Sequence, residues 1–495
     1  TMTIDQPFAT TVQAPADIDV SDRPIAGGAA YNAFLADLEG VPLITKPAQI
    51  RQKSRDFFWY SPILKAKLAD HVADLVVAPT TEAQIIQTIK ACVAKQVPLT
   101  VRGAGTGNYG QIIPLKGGVI MDLSDFNQVL WTKLGAVRTQ AGIKVAALDE
   151  HTKRVVGMEQ RLHPSTARTA TIGGFIAGGS SGIGAIGYGL LRDRGNILGL
   201  KILTMEAEPR VLELRGDDIQ KCNHAYGTNG IIVEVEMPLA PAYTWVDAAL
   251  AFDDFMTACR FCQALGEAPG IVKKEIAPIA APVGKQYFRK FQRDINDNTH
   301  LVMVMIAEHS VEAYECLLAD FGGRELYRQT DAEGAGTVPV FEFTWNHTTL
   351  HALAADKTIT YLQTLFPPPN HLALVEQMYQ QFGDEVPMHL EFVRLGGQVA
   401  CFGLQLVRYS TPERVMEIIK QHEDASCPIF NPHAFTLEEG GMKTIDTVQL
   451  DFKREADPHG LLNPGKMIAW DNPNYDPSTY QGKLYPAAGA FERAG

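Results

Sequence analysis

The sequence predicts an α+β protein with two large parts, and three observations support this fold class. Residues 75–102 have the pattern of a strand–helix–strand unit that leads into a glycine-rich loop. A longer glycine-rich stretch follows at residues 164–193. Residues 245–440 alternate between strand and helix patterns, which indicates an antiparallel sheet with helices on one face. The chain has 495 residues, too many for one ordinary core, so two large domains or one domain interrupted by another are expected.

Composition and charge exclude several classes of protein. Hydrophobic residues make up 46% of the chain and charged residues 20%, which is typical of a soluble globular protein. The net charge of −12 and the lack of a basic patch argue against a nucleic-acid binder. No apolar run approaches the roughly 20 residues that a membrane span requires. Residues 1–20 also lack the basic and apolar regions of a secretory signal.

Cysteine usage indicates the cellular compartment. The seven cysteines are scattered singly, apart from Cys259 and Cys262. A disulfide framework is therefore not expected, and a reducing, cytoplasmic location is. Cys259 and Cys262 form a CxxC pair inside a predicted helix, with no second pair at metal spacing. We interpret them as partly buried helix residues rather than as a zinc or redox site.

The chain begins with a polar arm, residues 1–50, and then builds the strand–helix–strand unit. The apolar segment DLVVAP is a short strand, and the helix that follows it carries Ile85, Ile89 and Val93 on one face. Thr81 and Gln84 fit a capping box at the start of this helix. The second strand begins at residue 98 and leads into a glycine-rich loop.

That loop, Gly103–Gln111, is the first candidate binding loop, with the sequence GAGTGNYGQ. A glycine-rich turn after a strand can form a nest of N–H groups around a pyrophosphate. The loop lacks the sixth-position glycine and the following helix of a dinucleotide fingerprint, and no Lys-Ser/Thr pair makes it a Walker loop. Taken alone, it is equally compatible with a plain hairpin turn, because glycine and asparagine are usual turn residues.

The stretch 164–193 is the second candidate binding segment. Its glycines remove the side-chain barrier, so backbone N–H groups can approach a flat or anionic ligand. A linker would also be rich in glycine and serine. Apolar residues such as Ile172, Phe175 and Ile183 anchor this stretch in a core, however. We therefore interpret it as part of a binding site.

Four segments occur in order along the chain: RGAGTGNYG, PSTARTATIGGFIAGGSSGIG followed by YGLLRD, YGTNGIIVEVEMPL, and DPHGLLNPGKM. Together they resemble the FAD-linked oxidases of the vanillyl-alcohol oxidase superfamily, particularly the branch that contains the flavin-bearing chains of glycolate oxidase and the D-lactate dehydrogenases. The resemblance implies a PCMH-type FAD-binding domain of two subdomains, interrupted by an antiparallel α+β substrate cap domain. The implied limits are 1–50 for the arm, 51–242 for the FAD-binding domain, 243–440 for the cap, and 441–495 for the return to the FAD domain and the tail.

The resemblance also implies which residues bind FAD. The first loop would wrap the pyrophosphate, the second stretch would line the pyrophosphate and the flavin, and the last two segments would meet the flavin or the adenine. These residues are Arg102, Gly103, Ala104, Gly105, Thr106, Gly107, Asn108, Tyr109, Pro164, Ser165, Thr171, Gly173, Gly174, Ala177, Gly178, Gly230, Ile232, Asn463 and Lys466. Covalent members carry a histidine near the first loop or a cysteine in the second stretch. This chain has neither there, so non-covalent FAD is implied.

Candidate catalytic histidines lie in the predicted cap. His347 and His351 are four residues apart, so a helix would place both on one face, which is a metal-binding spacing. The histidine segment of the family's metal-bearing members is absent, and we assign no metal. His347 is then a catalytic base or a hydrogen-bonded structural histidine. His389 alternates with Glu391 on one strand face. His433 lies in a loop before the chain re-enters the FAD domain and is the preferred base, with a turn cap as the alternative.

Two arginines of the same region are candidate substrate ligands. Arg394 and Arg408 alternate with the other residues of their predicted strands. Facing the flavin, either would clamp a substrate carboxylate bidentately. An exposed sheet face is the alternative location for both.

Three functional hypotheses follow. The first is an FAD-dependent oxidoreductase that oxidises a small 2-hydroxy acid by hydride transfer to flavin N5, with the histidines as base and the arginines as carboxylate ligand. The second is an aryl-alcohol or phenol oxidase, in which Tyr409 and an arginine hold a phenolate while Trp345, Tyr361 and Phe430 stack on the ring. The third is a flavin-bearing subunit without turnover. The electron acceptor stays open between O2, a quinone and a redox protein, and a homodimer is compatible with the sequence.

Overall fold

The computed structural model describes residues 28–476, except 331, 333–335 and 442–445. The parts of the predicted arm and tail at 1–27 and 477–495 lie outside the described residues. The helices are α1 (Gly28–Asp37), α2 (Pro47–Lys53), α3 (Pro62–Leu68), α4 (Glu82–Ala94), α5 (Val145–Val156), α6 (Ile172–Gly178), α7 (Ala185–Tyr188), α8 (Phe255–Glu267), α9 (Val283–Tyr287), α10 (Val311–Asp320), α11 (Asn346–Ala355), α12 (His371–Phe382), α13 (Pro412–Asp424), α14 (Thr447–Ala456) and α15 (Ile468–Asp471). Within the described ranges, no helix combines the length and the apolar character that crossing a membrane requires.

The strands fall into several sheets rather than one. They are β1 (Leu43–Ile44), β2 (Leu75–Val77), β3 (Leu99–Arg102), β4 (Val119–Asp122), β5 (Val129–Lys133), β6 (Ala136–Gln140), β7 (Met158–Gln160), β8 (Gly199–Leu203), β9 (Val211–Leu214), β10 (Ile231–Pro241), β11 (Trp245–Phe252), β12 (Lys273–Ile279), β13 (His300–Ala307), β14 (Arg324–Thr330), β15 (Ile359–Tyr361), β16 (Thr364–Phe366), β17 (Leu390–Leu395), β18 (Gln398–Gly403) and β19 (Leu406–Arg408). The mixture of helices with mostly antiparallel strands confirms the predicted α+β class.

The first sheet has the strand order β1-β2-β4-β3, in which β2 and β3 both run parallel to β4. The helix α4 connects β2 to β3, as predicted. It begins after Thr81, whose hydroxyl accepts a hydrogen bond from the Gln84 N–H at 3.3 Å. Because β3 ends at Arg102, the loop 103–111 leaves the sheet at the carboxyl end of a strand, where open α/β sheets bind ligands.

The second sheet is antiparallel, with the order β5-β6-β10-β8-β9, and β7 pairs with the far end of β10. The short helix α6 lies against it. Its first turn is capped by Thr171, whose hydroxyl accepts a hydrogen bond from the Gly174 N–H at 3.2 Å. The Gly173 N–H donates to the Ala141 carbonyl oxygen at 2.9 Å, just after β6. These bonds fix α6 beside the first loop.

The third sheet, β12-β13-β11-β14, is antiparallel, as predicted for residues 245–440. A bridge between Ile279 and His389 links its edge strand β12 to the sheet β16-β18-β17. The helix α8 packs on these strands and buries Cys259 and Cys262 as free thiols in their common core. The cap is therefore one packed unit built on two linked sheets.

The C-terminal segment returns to the first sheet. The Leu99 N–H donates to the Leu461 carbonyl oxygen at 2.8 Å, and the Asn463 N–H donates to the Leu99 carbonyl oxygen at 2.9 Å. At the end of α14, Lys453 and Asp457 form a buried ion pair at 2.7 Å. The segment thus packs beside β3, next to the loop 103–111. The predicted domain limits themselves stay a prediction.

A buried ionic cluster joins the second sheet to the third. Glu159 of β7 accepts a hydrogen bond from the Trp245 indole N–H at 2.8 Å, and its carboxylate lies 3.4 Å from the Lys274 ammonium of β12. Burial raises the pKa of Glu159, an effect that Lys274 opposes. Both side chains are almost fully buried, and a buried charge is stable only next to an opposite charge. This ion pair therefore links the cap to the rest of the chain.

Candidate active site

A cleft with a volume of about 280 Å³ lies where the first two sheets meet the cap. The loop 103–111, the helix α6 and the start of β10 form one side of it. Two further glycine-rich turns, at 178–181 and 227–230, also reach it. The opposite side comes from the predicted cap. The residues on that side are Trp345, Asn346, Gln363, Phe402, Leu404 and Phe430.

The loop after β3 presents unpaired backbone donors to this cleft. Within the described part of the chain, the N–H groups of residues 103–108 donate to no acceptor. Arg102 holds the loop from behind, because its guanidinium donates to the carbonyl oxygens of Lys53, Arg55 and Gly103 at 2.6, 3.1 and 2.9 Å. Successive free N–H groups in a glycine-rich turn attract an anion, so this wall suits a pyrophosphate.

The helix α6 gives the cleft a flat floor. Its sequence IGGFIAG contains three glycines and no charged residue. Gly178 lines the cleft, and a Cβ atom at this position would meet no other atom within 4 Å. A planar group can therefore lie directly on the backbone here.

The cap side of the cleft is mostly apolar and aromatic. Tyr109, from the first loop, reaches across to it: its hydroxyl donates to the Gln363 side-chain oxygen at 2.5 Å and lies 3.2 Å from the Phe430 carbonyl oxygen. Trp345 adopts a left-handed backbone conformation with φ of +50°. For a bulky residue such a conformation costs about 1–3 kcal/mol. The buried Glu391 carboxylate stabilises it by accepting the Trp345 N–H at 2.6 Å.

Few charged side chains reach the cleft. Among the described residues that line it, the cations are Arg102 and Arg192. The donors of Arg102 are engaged by carbonyl oxygens, whereas the Arg192 guanidinium makes no hydrogen bond or ion pair with any described residue. His224 also lines the cleft, and burial lowers its pKa to about 4, so the imidazole is neutral. Arg192 is thus the cation that this cleft offers to an anionic group.

A buried acid and a buried amine lie at the base of the first loop. Asp56 lines the cleft, and Lys466 lies behind the loop, where its ammonium donates to the Gly110 carbonyl oxygen. Burial raises the pKa of Asp56 to about 7 and lowers the pKa of Lys466 to about 7, while the charge of each partner opposes the other's shift. Burial thus favours the neutral form of each group, and the charge of each partner favours the ionised form of the other.

These walls fit FAD. Unpaired N–H groups match its two phosphates, and a flat floor facing apolar side chains matches its ring system. Comparison with known proteins agrees. A family model described as an FAD binding domain matches residues 73–213. The chain is 23% identical over 440 residues to the glycolate oxidase subunit GlcD of Bacillus subtilis, a match that spans 80% of this chain and 89% of that protein.

Two further comparisons cover different shares of the chain. A D-lactate dehydrogenase of Anaerostipes hadrus is 27% identical over 183 residues, which is 34% of this chain and 37% of that protein. The fold is similar to that of a solved alkyldihydroxyacetonephosphate synthase, with a TM-score of 0.67 and 15% identity, over 94% of this chain and 90% of that one.

The chain contains the FAD binding domain of the FAD-linked oxidases that its sequence resembles. The predicted family, its PCMH-type fold and the FAD cofactor are thereby confirmed, and the protein is an FAD-dependent oxidoreductase.

Most of the residues predicted to bind the cofactor gather in the cleft. Those of the first loop, the second stretch and the third segment all line it, from Arg102 to Ile232. Asn463 and Lys466 do not. Asn463 instead donates its side-chain amide to the Gln111 and Tyr226 carbonyl oxygens, both at 2.7 Å. Asn463 thus supports Gln111 and Tyr226, which line the cleft. The roles predicted for the cofactor-binding residues stay predictions.

The predicted catalytic histidines lie behind the cleft instead of in it. His433 is buried between the Ser61 hydroxyl, at 2.6 Å, and the Tyr361 carbonyl oxygen, at 3.0 Å. His389 lies 2.7 Å from the Glu391 carboxylate, in the core. His347 comes nearest, because its ring nitrogen lies 2.8 Å from the hydroxyl of Ser165, which does line the cleft. Burial lowers the pKa of all three histidines, so each imidazole is neutral. Both ring nitrogens of His389 and of His433 are engaged, and Nδ1 of His347 is.

The structure places both predicted arginine ligands and Tyr409 elsewhere in the cap. Arg394 donates to the carbonyl oxygens of Ile186 and Gly266 at 3.2 and 3.0 Å. Arg408 donates to the Asp384 carbonyl oxygen at 2.9 Å and to the Tyr287 hydroxyl at 3.1 Å. Tyr409 packs on the core of the cap. None of the three lines the cleft, so this geometry gives no support to the roles predicted for them.

Sequence reasoning missed several cleft residues. Arg192 lies in the YGLLRD segment, which contributed to the resemblance but was assigned no role. Gln363 and Phe402 carry no local signal, because only the folding of the cap brings them to the cleft. Asp56 stands far upstream of every motif. No group of three or more histidine, cysteine, aspartate or glutamate side chains within the described ranges is arranged to hold a metal ion.

Proposed function

We propose that this FAD-dependent oxidoreductase oxidises the hydroxyl-bearing carbon of a small 2-hydroxy acid to a carbonyl. The relatives named glycolate oxidase and D-lactate dehydrogenase support this substrate class, since glycolate and lactate are both 2-hydroxy acids. The observation that carries the proposal is the cleft itself, in which unpaired backbone donors lie across from an apolar cap wall. Bound FAD supplies the two-electron acceptor for the hydride.

The residues of the chain would bind and orient. The N–H groups of residues 103–108 would hold the pyrophosphate, and α6 would support the flavin ring. Tyr109 bridges the loop to the cap through Gln363 and Phe430, so it keeps the cap wall close and helps to exclude water. No covalent bond to FAD is needed in this arrangement. Precipitation of the loaded protein with acid should therefore release all of the flavin into the supernatant.

Arg192 is the proposed ligand of the substrate carboxylate. Its guanidinium is the cleft cation without a partner among the described residues, and a guanidinium matches the two oxygens of a carboxylate. R192M should raise the KM of hydroxy acids by at least about tenfold, the value of a charge-assisted hydrogen bond of roughly 1.5–3 kcal/mol. R194M is the matched control, because Arg194 is exposed and pairs with Asp217 at 2.7 Å.

The test is an anaerobic panel read at the flavin absorbance band, with 2-hydroxy acids in one arm and aryl alcohols in the other. Bleaching by hydroxy acids that weakens in R192M but not in R194M supports the proposal. If R192M lowers the affinity for FAD and leaves the KM unchanged, Arg192 serves a cofactor phosphate instead. A panel in which no hydroxy acid bleaches the flavin refutes the proposed substrate class.

The second candidate substrate class is the aryl alcohols, and the aromatic side chains of the cap wall favour it. Trp345, Phe402 and Phe430 supply aromatic surface. Among the described residues, no arginine or lysine of the cap reaches the cleft. Bleaching by aryl alcohols alone, with no effect of R192M, is the outcome that selects this class.

A further inference from the structure

The cap wall of the cleft carries a row of aromatic side chains. The ring centroids of Trp345 and Phe402 lie 6.4 Å apart, and those of Phe402 and Phe430 lie 6.3 Å apart. All three residues line the cleft, together with Leu404. Trp345 and Phe402 keep 7% and 8% of their surface exposed, and Phe430 is half-buried. The wall therefore offers a continuous apolar surface to a molecule in the cleft.

Two buried polar side chains behind this wall form hydrogen bonds to its backbone. The Glu391 carboxyl group accepts the Trp345 N–H at 2.6 Å. The Nδ1 atom of His389 donates to the Leu404 carbonyl oxygen at 3.1 Å, and the Leu404 N–H donates to the His389 carbonyl oxygen at 3.0 Å. The His389 Nε2 atom lies 2.7 Å from the Glu391 carboxyl oxygen. One hydrogen-bonded unit thus joins the start of α11 to the segment between β18 and β19.

The backbone of Trp345 depends on this support. Its φ of +50° is a left-handed conformation that a bulky residue avoids. Because Trp345 directly precedes α11, this conformation sets the direction in which the indole ring leaves the helix start. Glu391 and His389 are almost fully buried, and buried polar groups are costly unless they are hydrogen-bonded. The bonds that this pair makes lead to two residues of the wall.

The chemistry of the wall indicates what it receives. Among the described residues that line the cleft, the cap contributes no arginine or lysine, and Arg192 comes from outside the cap. A 2-hydroxy acid with an apolar side chain offers a carboxylate to Arg192 and an apolar group to the wall. Glycolate has no side chain and would leave the wall without a contact.

We propose that Glu391, held by His389, is a positioning residue that fixes the aromatic wall, and that this wall selects 2-hydroxy acids with an apolar side chain. This rests on the proposed function and narrows its substrate class. Trp345 and Phe402 contact the side chain of the substrate and determine specificity. Glu391 does not line the cleft and acts through Trp345.

The first test needs no substrate. The chain has five tryptophans, so the FAD-loaded protein labelled with 5-fluorotryptophan gives one fluorine NMR resonance for each, and W345F identifies that of Trp345. In E391M this resonance should shift or split, because the Trp345 N–H has lost its acceptor, while the other tryptophan resonances stay in place. E391Q should lie closer to wild type than E391M, because its amide oxygen can still accept this N–H.

The matched control is H371M. It removes a buried hydrogen bond of the cap, between the His371 Nε2 atom and the Gln263 side-chain oxygen at 2.6 Å. Neither residue lines the cleft. H371M should leave the Trp345 resonance where wild type has it, so the control separates an effect on the wall from a general loss of cap stability.

The second test measures the second-order rate constant of anaerobic flavin bleaching. The substrates are glycolate, lactate, 2-hydroxybutanoate and 2-hydroxypentanoate, in which the apolar side chain grows by one carbon at each step. Wild type should gain about fourfold per carbon, the transfer value of one buried CH2 group. W345A and E391M should flatten this gain, lowering the constant most for the longest acid and least for glycolate. H371M should keep the gain.

The outcomes separate the two proposals. A Trp345 resonance that stays in place in E391M refutes the positioning role of Glu391. A wild-type rate constant that does not rise with side-chain length, or a rise that W345A leaves intact, refutes selection by the wall. W345A and E391Q keep both tests decisive should E391M fail to fold. A flavin that no hydroxy acid bleaches refutes the proposed function, while the fluorine spectra still decide whether Glu391 positions Trp345.

Discussion

The substitution G178A separates cofactor binding from stability. Gly178 ends α6 and lines the cleft, and an added Cβ atom would meet no protein atom within 4 Å. The protein without FAD should therefore accept the methyl group. Alanine in a helix is favoured over glycine by roughly 0.5–1 kcal/mol, so the melting temperature of the apoprotein should be unchanged or slightly higher.

FAD binding should respond in the opposite direction. If the flavin lies on this backbone, the methyl group intrudes into its contact surface. Overpacking of this kind costs about 1–3 kcal/mol, which corresponds to a roughly 5- to 150-fold weaker Kd for FAD. Titration of the apoprotein with FAD, followed by quenching of flavin fluorescence, measures the constant directly.

The matched control is G270A. Gly270 lies in the turn before β12, outside the cleft, and a Cβ atom there also meets nothing within 4 Å. It should leave the Kd for FAD unchanged. Equal FAD affinities for wild type, G178A and G270A would refute the claim that α6 supports the flavin.

Three other predictions concern the stability of the fold around the cleft. In G103A the added Cβ would fall 2.0 Å from the Thr171 hydroxyl oxygen, so urea denaturation should show a loss of about 2–4 kcal/mol from overpacking and the disturbed helix cap. K274M leaves Glu159 buried without its main cation, so the free energy of unfolding should fall by about 3 kcal/mol in the same assay. The double variant K274M/E159Q should recover part of this loss, because the unpaired carboxylate is gone. Burial lowers the pKa of His433 to about 4, whereas an unfolded chain binds that proton below about pH 6.5. The free energy of unfolding should therefore fall by up to about 2 kcal/mol for this histidine between pH 7 and pH 5, measured by urea denaturation at both values.

The sequence predicted the glycine-rich side of the cleft well because its signals are local. A glycine-rich turn after a strand, or a threonine cap before a helix, encodes its backbone shape in adjacent residues. The loop 103–111 and α6 accordingly lie where the motifs indicate, with Thr81 and Thr171 as the caps. The order of the four segments then identified the cofactor.

The cap side could not be predicted in the same way. Strand alternation placed His389 with Glu391 on one face of β17 but did not reveal that this face is core rather than cleft. Arg394 looked suited to a carboxylate, yet carbonyl oxygens of α7 and α8 engage it. Asp56 precedes the motifs by dozens of residues. Only contacts between distant parts of the chain decide which of these side chains line the cleft.

The most direct test of the account is the anaerobic mixing of the FAD-loaded protein with a 2-hydroxy acid that carries deuterium on its hydroxyl-bearing carbon. If the substrate hydride passes to FAD, the flavin band should bleach in a single turnover, and the deuterated acid should bleach it more slowly than the ordinary one, because the C–H bond breaks in that step. A flavin that stays oxidised with every hydroxyl substrate, while dithionite still reduces it, would contradict the account.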